Sequence, residues 1–306
     1  MKIAIFGTGA VGGYFGGRLA ASGEDVTFIA RGEQLAALKK DGLYIISPNG
    51  DLHLREVAAV PHPEDVGPVD VVLFCVKMYD ADEAAGKLAP LLGPQTVVVT
   101  LQNGVDATDL VARRVGAEHV AGGAAYIMAA VNSPGRIRHT AVDTLVFGER
   151  DGAASQRLLA FEAAGKRAGF QTRLSATMDV ELWTKFVRLA TWAGLTAVAR
   201  SPMGVIREDP ALSAMMRGAF EEAIAVGRAR GIPLSPNLPA ETEALVKNFP
   251  AESKSSMLED LEHGRRLELP WLSGAIVRMG REAGIPTPTH AFIAAVLGPF
   301  IEGARA

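Results

Sequence analysis

MKIAIFGTGAVGGYFGGRLAASGEDVTFIAR, residues 1–31, sets two apolar runs on either side of a glycine turn and a helix-compatible segment. Ile3 to Phe6 is a short apolar run, GTGAVG places glycines at Gly7, Gly9 and Gly12, a helix-compatible segment follows, and Val26 to Ala30 is a second apolar run. Strand, turn, helix and strand in that order make a dinucleotide-binding unit. Gly7 permits the tight turn out of the strand, Gly9 lets the backbone approach a pyrophosphate, and Gly12 lets helix and strand pack closely. Gly7, Thr8, Gly9, Ala10, Val11 and Gly12 are therefore expected to cradle phosphates on the free N–H groups of a helix N-terminus. A secretory signal peptide is the competing reading, since Lys2 precedes a weakly apolar stretch ending in Ala20-Ala21-Ser22. The glycines between Gly12 and Gly17, followed by Arg18, make a poor apolar region, so the dinucleotide reading is preferred.

The second strand says which dinucleotide. A fold that prefers NAD places Asp or Glu at the C-terminal end of this strand to hold the ribose 2′-hydroxyl, and that end here reads Ala30-Arg31-Gly32. Glu24 and Asp25 lie at the other end, roughly 17 Å away at about 3.3 Å per residue. Arg31 offers a permanently charged planar fork suited to a 2′-phosphate, which points to NADP(H). The competing reading is an ordinary surface arginine.

The chain has 306 residues, enough for two domains. Lys and Arg total 31 against 34 Asp and Glu, so a net charge of −3 leaves no basic footprint for nucleic acid or an anionic membrane. No apolar run approaches the roughly 20 residues that span a bilayer. The single cysteine, Cys75, excludes an internal disulfide framework and fits a reducing cytoplasm, and its place in the run Val71 to Val76 makes it a small core residue. No metal-like histidine cluster accompanies it, so no metal site is expected.

Glu33 to Lys40 reads as a helix, Leu43 to Ile46 as a strand, and Val69 to Val76 as a strand buried on both faces of a parallel sheet, ending at Lys77-Met78-Tyr79-Asp80. A helix from about Asp82 to Leu92 stops at Gly93-Pro94, and Thr96 to Leu101 is a further strand running into Gln102-Asn103-Gly104. Ligands in doubly wound sheets bind outside the carboxyl ends of the strands, so the first glycine turn, Lys77 and Asn103 should converge on one crevice. Taken singly, Lys77 reads as a solvated loop lysine and Asn103 as part of an Asn-Gly turn. Val120 to Ala130, Arg136 to Thr140 and Thr144 to Phe147 look like three more strands, and Ala153 to Ala168 like the last helix of this half. The expected domains are 1–172, a Rossmann-type doubly wound α/β sheet, and 173–306, all helical. Helices are expected at Met178 to Ala199, Pro210 to Arg230, Pro239 to Asn248, Met257 to Gly264, Trp271 to Ala283 and His290 to Glu302. Asp209-Pro210 is an N-cap with proline at N1. Gly231-Ile232-Pro233 and Gly284-Ile285-Pro286 repeat one helix stop signal.

These residues together resemble the ketopantoate reductase family, the 2-dehydropantoate 2-reductases. The likeness rests on GTGAVG with Arg31, VKMYD (Val76 to Asp80), LQNG (Leu101 to Gly104), PGRIRHT (Pro134 to Thr140), ELWTKF (Glu181 to Phe186) and KSSMLED (Lys254 to Asp260), with Glu268 beyond. It implies an active site in the cleft between an N-terminal Rossmann-type domain and a helical one. It further implies that Lys185 is the general acid that protonates the carbonyl oxygen as the nicotinamide delivers hydride. By the same match Glu268 lies near the nicotinamide ribose and the lysine, and Ser256 binds substrate at a helix start. Asn103 lies between cofactor and substrate, Lys77 near the cofactor, and Ala129 offers it a backbone contact. Read without the resemblance, Lys185 is a snorkelling lysine paired with Glu181, and Ser256 with Glu259 is a capping box.

The chain departs from the family pattern on one helix face. Asparagines commonly found four and eight residues after the catalytic lysine are Leu189 and Ala193 here, and a further asparagine before Gly204 aligns with Met203. A designed hydroxyl contact is worth about 10⁴ or more in discrimination, so recognition of the 4-hydroxyl of ketopantoate should weaken. Three readings follow. The first is a ketopantoate reductase making pantoate for pantothenate synthesis, and the second a paralogue acting on a more apolar 2-oxo acid held by Ser256 and Asn103, with Leu189, Ala193 and Met203 at the distal end. The third is an NADP(H)-binding sensor without turnover, disfavoured by retention of Lys185 and Glu268. Apolar helical surfaces in the second half are compatible with a homodimer.

Overall fold

A computed structural model describes residues 1–304. The chain forms two compact units, Met1–Gln102 with Asp106–Glu181, and Asn103–Val105 with the chain from Leu182 onward.

The first unit is built on a ten-stranded mixed sheet. Its strands are β1 (Lys2–Phe6), β2 (Asp25–Ile29), β3 (Leu43–Ile46), β4 (Leu52–Leu54), β5 (Ala58–Val60), β6 (Val69–Phe74), β7 (Leu92–Thr100), β8 (Val120–Ser133), β9 (Arg136–Glu149) and β10 (Gln171–Leu174). The order is β4-β3-β9-β8-β7-β6-β1-β2-β5, with β10 added beside β9. From β5 to β8 every pairing is parallel, and the chain winds outward from β1 first to β2 and then to β6 on its other side. That reversal is the switch point at which doubly wound sheets bind ligands, and the glycine turn lies there. The helices are α1 (Ala10–Ala21), α2 (Gly32–Asp41), α3 (Met78–Ala85), α4 (Ala107–Val115) and α5 (Gln156–Arg167). The apolar sides of α1, α2 and α5 close on the sheet in one core that includes Ile3, Ile5, Phe15, Phe28, Val97 and Phe161.

Several sequence expectations shift. The two strands expected at Arg136 to Thr140 and Thr144 to Phe147 are one strand, β9, paired antiparallel with β8. Val142, at φ 54°, lies where the register shifts, between the pairs Met128–Ala141 and Ile127–Asp143. Helix α3 begins at Met78, directly after the strand loop, and ends at Ala85, well before Leu92. The first unit continues through Glu181, past the division expected at 172, because β10 pairs in parallel with β9 at Thr144 to Phe147 and so belongs to the sheet.

In the second unit α6 (Met178–Ala199) runs on from Leu182, followed by α7 (Met203–Glu208), α8 (Pro210–Ala229), α9 (Leu238–Asn248), α10 (Ser256–Glu262), α11 (Ser273–Ala283) and α12 (Pro288–Leu297). Phe186, Ala190, Ala193 and Ala197 form the buried stripe of α6 at helical spacing, packed with Phe220, Ile276 and Ile293. The N-cap and stop signals behave as expected. Asp209 accepts from the backbone N–H groups of Ala211 and Leu212, both at 2.9 Å. Ile232 N–H closes on Gly227 O at 3.1 Å and Ile285 N–H on Gly280 O at 2.8 Å, the same Schellman closure twice. Among the described residues no helix is long and apolar enough to cross a membrane.

Candidate active site

In the first unit the turn after β1 is held by close backbone approach. Gly7 has φ +101°, and a Cβ there would lie 2.8 Å from Val76 N. A Cβ on Gly12 would lie 2.2 Å from Gly7 O, so the helix enters as closely as the backbone allows. Gly9 differs, because an added Cβ meets nothing within 4 Å. It is the N-cap of α1, with no side-chain cap and no acidic residue in the first turn. Free N–H groups thus open onto empty space, which fits the pyrophosphate of a dinucleotide. Thr8 is buried, its hydroxyl donating to Ile29 O at 3.3 Å, while Gln34 Nε2 donates to Thr8 O at 2.8 Å. Ala10 and Val11 form the half-buried first turn of α1.

Around this turn, Gln102 holds two strand ends together. Its Nε2 donates to Phe74 O at 2.9 Å and Val76 O at 3.1 Å, fixing the segment that presses on Gly7 and leads to Lys77, the N-cap residue of α3. Gln102 stands in the LQNG motif, yet its role became apparent only from the fold. Cys75 packs on the core beside Gly12, and burial pushes its thiol far above the ordinary range, so it stays protonated. Ala129 lies half-buried on β8, at a register irregularity and beyond the stretch paired with β7. Arg31 is the N-cap residue of α2, its side chain 82% exposed and paired with Asp80 at 2.5 Å.

In the second unit three residues far apart in sequence form one polar chain. Lys185 Nζ donates to Asn103 Oδ1 at 3.3 Å, and Asn103 Nδ2 donates to Glu268 Oε2 at 3.4 Å. The asparagine thus bridges an ammonium and a carboxylate with opposite ends of one amide. Its turn is an Asn-Gly turn as well, with Gly104 at φ +95° and room for no Cβ, since one would lie 2.8 Å from Trp271 O. Trp271 N–H in turn donates to Glu268 O at 3.0 Å, so the residue that Gly104 approaches belongs to the glutamate segment. Glu268 is 5% exposed between buried Leu267 and Leu269. Lys185 flanks the α6 stripe, half-buried. Desolvation pulls its ammonium down to about 8, and the negative charge of Glu268 opposes that fall. Glu181, the alternative partner of the snorkelling reading, is held by Arg173 at 2.9 Å.

Other sequence-named positions divide by burial. Leu189 is half-buried against the core, whereas Ala193 is 1% and Met203 0% exposed within it. Ser256 is exposed as the first residue of α10 and is not its cap. The cap is Ser255, whose hydroxyl accepts from Leu258 N–H at 3.1 Å and meets Thr196 Oγ1 at 2.7 Å. The pattern S-x-x-E pointed to Ser256, and the buried threonine contact gives the cap to the serine before it.

Residues 3–152 match the family model described as ketopantoate reductase PanE/ApbA, and residues 177–300 match its C-terminal counterpart. A 2-dehydropantoate 2-reductase of Mesorhizobium japonicum is 32% identical, with 94% of each chain covered. The crystal structure of a PanE/ApbA family ketopantoate reductase from Ralstonia eutropha superposes with a TM-score of 0.90 at 32% identity, covering 98% of each chain. The ternary structure of D-mandelate dehydrogenase with NADH and anilino(oxo)acetate gives a TM-score of 0.89 over 98% of each chain, but at 22% identity that likeness is one of fold.

Proposed function

The chain belongs to the ketopantoate reductase family of oxidoreductases, and on that premise we propose that it reduces the carbonyl of a 2-oxo acid to a 2-hydroxy acid with NADPH, ketopantoate to pantoate being the leading reaction. The observation that carries the reading is the Lys185–Asn103–Glu268 chain. NADPH, when bound, supplies the hydride that adds to the carbonyl carbon. As the carbonyl π pair moves onto oxygen, the Lys185 Nζ–H transfers its proton there, forming the hydroxyl and leaving a neutral amine that regains a proton from water. An ammonium lowered to about 8 surrenders that proton more readily than an ordinary lysine, while remaining mostly charged near pH 7. Asn103 fixes the direction of Nζ, and Glu268 keeps the ammonium charged despite its desolvation. Ser256, exposed beside the N–H groups of the first turn of α10, suits the substrate carboxylate. Gly7 to Gly12 hold the pyrophosphate, Arg31 takes the 2′-phosphate, and Lys77 and Ala129 are further cofactor contacts.

A second reading, a more apolar 2-oxo acid as substrate, is favoured by one observation. Leu189, one turn beyond Lys185, offers no hydrogen bond where a hydroxylated substrate needs one. NADPH oxidation with ketopantoate, beside 2-oxo acids lacking the 4-hydroxyl at matched concentration, separates the two. A wide margin for ketopantoate supports the first reading. A poor rate with ketopantoate and a good one with an apolar oxo acid supports the second, and no turnover with any carbonyl overturns both.

A further inference from the structure

We propose that Asp80 sets the strength of the cofactor preference, by placing a fixed negative charge at the guanidinium that is to receive the 2′-phosphate. The inference rests on the reading of Arg31 as the phosphate ligand. Arg31 does not stand as a lone cation at the end of β2. Asp80, in the first turn of α3, accepts from one of its Nη atoms at 2.5 Å. Asp80 is itself fixed from behind, because its backbone N–H donates to Lys77 O at 3.0 Å in the turn that follows β6. The residue is therefore set by the first turn of α3 and not by a flexible loop. Glu83, one turn further along α3, also feels the positive charge of Arg31, although its own ion pair is with Lys87 at 2.6 Å.

The guanidinium remains 82% exposed, so its other N–H groups are available to a second acceptor. A 2′-phosphate binding there shares Arg31 with Asp80 and lies within a few ångströms of a like charge. A 2′-hydroxyl suffers no such repulsion, and can even donate to the Asp80 carboxylate as it would to the acidic residue missing from the end of β2. One pair of residues thus carries both recognition devices, the arginine for the phosphate and the aspartate for the hydroxyl. The expected result is a protein that takes NADPH in preference to NADH by a smaller margin than Arg31 alone would give.

Dissociation constants for NADPH and NADH, read by fluorescence titration of the native protein and its D80N and R31A variants, test this at low ionic strength. The D80N substitution keeps the shape and a hydrogen-bonding oxygen while removing the charge, and D80S, a second uncharged variant, guards against a local packing effect. Asp80→Asn should tighten NADPH by about tenfold and leave NADH the same or weaker. The gain should shrink as added salt screens the pair. If D80N and D80S weaken NADPH, or leave the NADPH-to-NADH ratio as in the native protein, while R31A collapses that ratio, then Asp80 is only a strut and the inference fails alone. If R31A leaves the ratio unchanged, the phosphate does not sit on Arg31, and the underlying reading fails together with the inference.

Discussion

Around Gly7 to Gly12 the first unit builds its functional end from backbone, whereas the second unit builds its own from the side chains of Lys185, Asn103 and Glu268. In the first, contacts are set by hard-sphere approach: a Cβ at Gly12 would stand 2.2 Å from a carbonyl oxygen, and the space over Gly9 is open. In the second, contacts are long hydrogen bonds of 3.3 and 3.4 Å, joined by charge in a desolvated place. The approach at Gly12 is decided within six residues of sequence. The polar chain joins positions 82 and 165 residues apart. On the proposed reading, the first arrangement serves binding and the second serves proton transfer.

If that division is right, substitutions in the two regions should fail differently. Lys185→Ala should have the largest effect, lowering kcat by about 10²–10⁴, the usual worth of a positioned acid. Its affinity for NADPH, by fluorescence titration, should stay within about twofold, and a matching loss of affinity would erase the distinction between the regions. Next come the glycines, where the outcome turns on what a methyl group meets. Gly12→Ala should cost about 1–3 kcal/mol of stability by forcing backbone apart, seen as a lower Tm. Gly9→Ala should leave Tm unchanged and weaken cofactor binding, because the methyl occupies only the space meant for phosphate. Equal Tm losses for both would contradict the open cradle.

Glu268→Gln is a subtler probe. Removing the charge that opposes desolvation lowers the Lys185 ammonium further, so the alkaline limb of the rate profile should move to lower pH. A shift upward would show that Glu268 does not support the ammonium. The smallest effect is expected from Leu189→Asn, which should raise the rate with ketopantoate relative to an apolar 2-oxo acid by about two- to tenfold, since one restored polar contact without its companions recovers little of the discrimination.

The same contrast explains what sequence could reveal. The strand, turn and helix of residues 1–31 were readable because each signal is local: a glycine, an apolar run, a charge at a strand end. Asp209 and the two Gly-Ile-Pro stops were readable for the same reason. Lys185 read alone as a surface lysine paired with Glu181, and only resemblance to a family singled it out. The fold gives Glu181 to Arg173 and brings Asn103 to the lysine instead. The S-x-x-E pattern named Ser256 as the cap, and the fold gives that role to Ser255, whose hydroxyl also meets Thr196. The continuity of β9 was hidden by Val142, whose positive φ interrupts a strand that the hydrogen-bond ladder continues. Asp80 was quoted within a motif, but its partnership with Arg31 depends on α3 starting at Met78, four residues before the helix expected at Asp82.

Whether Lys185, with its lowered pKa, donates the proton is decided by the pH dependence of kcat/KM for NADPH-driven reduction. The profile of the native protein should hold level toward neutrality and fall above a single limb near pH 8, set by loss of the Lys185 proton, with the residual activity of Lys185→Ala showing no such limb. A native profile that stays flat through pH 10, or a limb near 8 that persists in Lys185→Ala, would mean that another group supplies the proton.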